Sequence, residues 1–160
     1  MTTKTQIRLL VTASVLMILI AIVHESAGYY LYVDPLTDHA TGVPSNQGPR
    51  YVGEPVLMTQ TMYLFVGFVF LGMGLAPAWA ARAIRRGDHA KARALLVGAA
   101  FLLWSVVAVF IATTLAVRGL DEVLILPQWP FFLPSLVLVH VVLRGLAKSS
   151  DRPVAAARLS

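Results

Sequence analysis

Long apolar runs separated by short polar breaks dominate the chain. The first run, Ile7 to Val23, is seventeen residues interrupted only by Arg8, Thr12 and Ser14, and it ends on the adjacent pair His24-Glu25. A helix needs about 20 mostly apolar residues to cross a bilayer. Three segments meet that length and a fourth comes close, giving spans over residues 7–33, 55–81, 94–117 and 129–146. They predict an all-α, polytopic membrane protein, a four-helix transmembrane bundle forming a single membrane domain over residues 1–160.

The breaks carry their own signals. Residues 34–54 contain Pro35, Gly42, Pro44, Gly48, Pro49 and Gly53, which punctuate a non-helical outer loop with the length of a lid. Pro55 suits the first turn of the second span, and Pro77 is expected to kink or loosen that span's inner end. Arg82 to Arg93 reads as a short basic connector, and residues 118–128, with Asp121 and Glu122, as the next turn. Residues 147–160 form a polar, mobile tail. Lys4 and Arg8 ahead of an apolar run resemble a secretion signal. The run is long and meets His24, Glu25 and tyrosines without a small-residue cleavage site, which makes it a retained helix.

Composition agrees: 58% of residues are hydrophobic and 13% charged, against about 25% charged in soluble domains. The net charge of +5 is informative by position rather than by sign. Eleven of the thirteen Lys and Arg residues fall at the N-terminus, in the middle connector or at the C-terminal end, leaving only Arg50 and Arg118 opposite. The positive-inside rule then places both termini in the cytoplasm of a cell-membrane protein. This makes the basic connector a topology signal and lipid-headgroup contact rather than a nucleic-acid patch. The absence of cysteine excludes disulfides, thiolate catalysis, iron–sulfur clusters and cysteine-bound zinc.

Counting along each span from its outer end places polar side chains of all four in one layer. These are His24 and Glu25 below Tyr29, Gln60 and Tyr63 in the second span, Thr113 and Thr114 in the third, and Ser135 in the fourth. Ionisable groups inside a membrane are expensive and mark functional sites by default. A pocket centred on Glu25, with His24 to exchange a proton, would bind a cation, an amine or a lipophilic substrate, or support proton transfer on it. A second reading stays open. Polar groups near the interface are reached by water, and His24 and Glu25 diverge by about 100° on an α-helix. The threonines and Ser135 also suit helix–helix hydrogen bonds.

Gly67, Gly72 and Gly74 give the second span a small-residue face, fit for helix packing or a partner subunit. Trp104, among Phe101, Leu102 and Leu103, is expected in the bundle core. A haem between His24 and His140 is disfavoured by their offset of about 8 to 20 Å along the membrane normal, so no cofactor or metal is expected. His39 and His89 lack companion ligands, and no phosphate-binding loop, His-Glu-x-x-His or nucleophile elbow occurs.

Small multidrug transporters also carry a glutamate in the first of four helices. The lopsided charge and the position of Glu25 near a helix end argue against membership. The layout is similar to that of the sterol isomerase and sigma-2 receptor group in topology alone: four spans, a long first loop and acidic residues in the bundle. No motif matches residue by residue, so the likeness implies no site. Two functions remain. One is a non-catalytic accessory subunit of a membrane complex, with lipids, other subunits or a second copy as partners. The other is a ligand-binding protein or small enzyme using Glu25.

Overall fold

A computed structural model describes residues 1–42, 54–118 and 129–150. Among the described residues all regular structure is helical. Helix α1 (Thr3–Val23) starts at Thr2, whose hydroxyl accepts the Thr5 N–H at 3.3 Å, an N-cap. It runs without a break into a π-helical segment (His24–Val33) and then α2 (Asp34–Thr41). Next come α3 (Glu54–Arg85), α4 (His89–Arg118), a 3-10 turn (Trp129–Phe132) and α5 (Leu133–Ser150).

Four stretches are long and apolar enough to cross a membrane: Thr3–Leu31, Leu57–Arg85, His89–Ala116 and Pro130–Ala147. The chain is therefore a multi-pass membrane protein.

Several boundaries differ from the sequence expectation. Asp34–Thr41, expected to open a loop, is helical and stops only at Gly42, a left-handed C-cap with φ 66°. Pro35 sits in its first turn, where a missing amide does little harm. Helix α3 continues past Pro77, which is buried, as far as Arg85. The basic connector shrinks to Arg86–Asp88. Gly87 takes a positive φ of 77°, its N–H meets the Ile84 carbonyl at 3.1 Å, and the Asp88 N–H meets the Ala83 carbonyl at 3.0 Å. That pair of bonds is a Schellman closure of α3. Asp88 then caps α4, its carboxylate accepting the Lys91 N–H at 2.9 Å. Residues 147–150, expected to open the polar tail, are helical as the end of α5. The expected loop over residues 43–53, the turn holding Asp121 and Glu122, and the rest of the tail over 151–160 lie outside the described residues.

The chain divides into two compact units, one of Ile18–Gly72 and one of Met1–Met17 with Met73–Ser160. In the second, Leu10, Met17, Met73, Leu96, Leu103, Val139 and Val142 are fully buried. Ser135, also fully buried, donates to the Ala13 carbonyl at 3.3 Å and ties α5 to α1. Gly145 leaves room on α5 for Met1 and Gln6, and Phe110 stacks on Phe132 at 6.0 Å. Trp104, expected in the core, is 52% exposed instead. Its indole N–H reaches His140 Nε2 at the long distance of 3.5 Å. An indole only donates, so Nε2 accepts and the proton lies on Nδ1, which donates to the Leu136 carbonyl at 2.9 Å.

Candidate functional site

The unit of Ile18–Gly72 brings the His24-Glu25 pair against α3. Tyr63, Gly67 and Phe70 recur at i, i+4 and i+7 and so share one face of that helix. The His24 ring stacks on Tyr63 with centroids 4.1 Å apart and planes 13° apart, and meets Phe70 edge-on at 5.1 Å. Two hydrogen bonds close the contact. The Tyr63 hydroxyl donates to the His24 carbonyl at 2.6 Å, and His24 Nε2 lies 3.3 Å from the Tyr63 carbonyl. A carbonyl only accepts, so Nε2 carries the proton in that bond.

Each side chain thereby holds the other residue's backbone. Gly28 makes this possible, because a Cβ there would overlap the Tyr63 hydroxyl. Tyr29 adds an edge-on ring contact to Tyr63 at 6.3 Å.

Glu25 lies over Gly67. A Cβ at position 67 would overlap its carboxylate and stand 2.8 Å from its Cγ. Both members of the pair therefore reach the same face of α3, although an α-helix would separate them by about 100°. The π-helical segment begins at His24, and its wider i→i+5 turn reduces the angle between successive side chains. Among the described residues, Glu25 Oε1 is the buried side-chain oxygen or nitrogen without a hydrogen-bond partner. The rest of the side chain is half-buried, so the group can be approached from the side.

The other expected residues are placed as follows. Gln60 donates to the Thr37 hydroxyl at 3.0 Å, and Thr37, buried on α2, donates in turn to the Val33 carbonyl at 2.8 Å. Gln60 thus anchors α2 to α3. Thr113, Thr114 and Ser135 belong to the other unit. Thr114 donates to its own helix at the Phe110 carbonyl, Thr113 is exposed, and Ser135 holds Ala13. Gly67 seats Glu25, Gly72 has open space where a Cβ would stand, and Gly74 is buried. Gly28, Thr37 and Phe70 were missed as site residues. The i, i+4, i+7 spacing of Tyr63, Gly67 and Phe70 was the signal available for Phe70. Nothing in the spacing pointed to Thr37. Among the described residues no cluster of His, Asp and Glu could hold a metal ion.

The close fit of Glu25 on Gly67 is testable in detergent by a double-mutant cycle. Gly67→Ala is expected to lower stability by about 1–3 kcal/mol, the usual penalty for overpacking. Glu25→Ala should relieve it, giving a coupling above about 0.5 kcal/mol. Additive effects would mean that the two residues do not touch.

Comparison with known proteins leaves the geometry to speak for itself: no protein-family model matches the chain, and no curated protein or solved structure gives a significant match.

Proposed function

We propose that the chain is a multi-pass membrane protein that binds a small organic cation, or the proton that replaces it, at Glu25. The observation behind this reading is the buried Glu25 oxygen with no partner, set in a pair of apolar helices where neighbouring polar groups are bonded. An ionised carboxylate in such a place needs a donor or a positive charge, because burying it unpaired is strongly unfavourable. A protonated amine with an aryl or alkyl body supplies both the charge and the apolar surface. The stacked His24 and Tyr63 rings fit that body, since aromatic faces attract cations.

An accessory subunit docking through the glycine face has less support. Gly67 already carries the Glu25 carboxylate and Gly74 is buried, which leaves Gly72 as the open position of the three. In this reading the four spans form one bundle. The grouping of eleven basic residues supports cytoplasmic termini, with the Gly87 turn on the same side. The chain has no cysteine, so single cysteines introduced at Thr2 and Asp88 should label only from the cytoplasmic side; labelling from outside would reverse the orientation.

The binding test uses tritiated phenethylamine and purified protein in lipid nanodiscs. Saturable binding is the expected result. Glu25→Gln should weaken it at least about tenfold, since a hydrogen bond to a charged group contributes about 1.5–3 kcal/mol. Equal binding by Glu25→Gln would sink this reading and leave the accessory-subunit one standing.

A further inference from the structure

A second polar feature lies far along the chain from Glu25, in the unit that holds the turn between α3 and α4. The turn between α3 and α4 borders a groove of about 490 Å³. Trp79, Arg82 and Ala83 line it from α3 at i, i+3 and i+4, Arg86 lines it from the turn, and Lys91 and Leu95 face them from α4 at i and i+4. Its chemistry is graded along the helices. The cations stand beside the turn, and Trp79 and Leu95 lie about one helical turn further into the spans.

Among the described residues no carboxylate or hydrogen-bond acceptor engages the side chains of Arg82, Arg86 or Lys91. Asp88 is the acidic group in the groove, and its Oδ1 is taken by the Lys91 backbone N–H. Trp79 is 58% exposed, with an amphipathic indole suited to the headgroup region.

We propose that this groove binds one anionic phospholipid, its phosphate between Arg82, Arg86 and Lys91 and its first acyl carbons along Trp79 and Leu95. Three cations without a partner among the described residues call for a negative head, and the apolar wall running into two spanning helices calls for a tail. A soluble anion would use only the first of these. Basic pockets between spanning helices are a recurrent lipid-headgroup device.

Native mass spectrometry of the full chain in mild detergent tests the assignment, with phosphatidylglycerol, phosphatidylcholine and inorganic phosphate as probes. Phosphatidylglycerol should be retained at one per chain and phosphatidylcholine should not. Each basic residue near an anionic headgroup contributes about fivefold to binding, so Arg82→Gln/Arg86→Gln should weaken retention about twentyfold or more. Lys91→Gln, a milder change, should weaken it about fivefold. Trp79→Ala should weaken it while leaving inorganic phosphate unaffected, and Arg144→Gln, outside the groove, should change nothing. Equal retention of the two lipids, equal loss with Arg144→Gln, or displacement of the lipid by equimolar inorganic phosphate would each overturn the proposal.

Discussion

Hydrocarbon cannot accept or donate a hydrogen bond, and this one constraint shapes the chain. Each backbone amide and carbonyl inside the bilayer must be satisfied by the protein itself, which leaves the helix as the open solution for a chain of this kind. Polar side chains face the same demand. Ser26, Thr61, Ser105 and Thr114 each turn a hydroxyl back to the carbonyl four residues earlier, and His140 does the same with Nδ1. Each has a proton to give, and a helix always has a carbonyl to receive it. An ionised carboxylate has none, and the amides of a continuous helix are already in use. Among the described residues, Glu25 is the side chain left with a buried, unpartnered oxygen.

The surroundings hold that carboxylate in place. Gly67 removes the side chain that would otherwise occupy its position, and the His24–Tyr63 clasp, seated over Gly28, fixes the approach of the two helices on either side. The π-helical turn brings two sequence neighbours to one face of α3. Disrupting an α-helix in this way carries a conformational cost, and π-helical turns occur often at functional sites. Beyond this, the Gln60–Thr37 bond pins α2 to α3.

Much of the architecture was legible in the sequence because membrane spans depend on length and apolarity, which can be counted. Four long apolar helices stand where apolar runs can be counted, although the first continues as helix past its expected end to Thr41. What failed has a common cause. Trp104 was expected inside because it is large and apolar, but lipid accepts such residues as readily as a core does, so apolarity does not say which way a spanning residue faces. Pro35 looked like loop punctuation, but a proline in a first turn fits a helix equally well. Gly67 was recognised as a close-packing position. What it packs against was not legible, since a glycine records the room available and not its occupant. His24 and Glu25 stood out because polar groups are rare in such runs, and the π-helical turn that aims them together left no mark on the sequence.

The central claim is that Glu25 itself meets the ligand's charge. Infrared difference spectroscopy on phenethylamine addition would test it most directly, comparing wild-type protein with Glu25→Gln. The account predicts a change in the carboxyl or carboxylate bands of the wild-type protein that is missing from the variant. The same difference spectrum from both proteins would show that no charge is exchanged at Glu25.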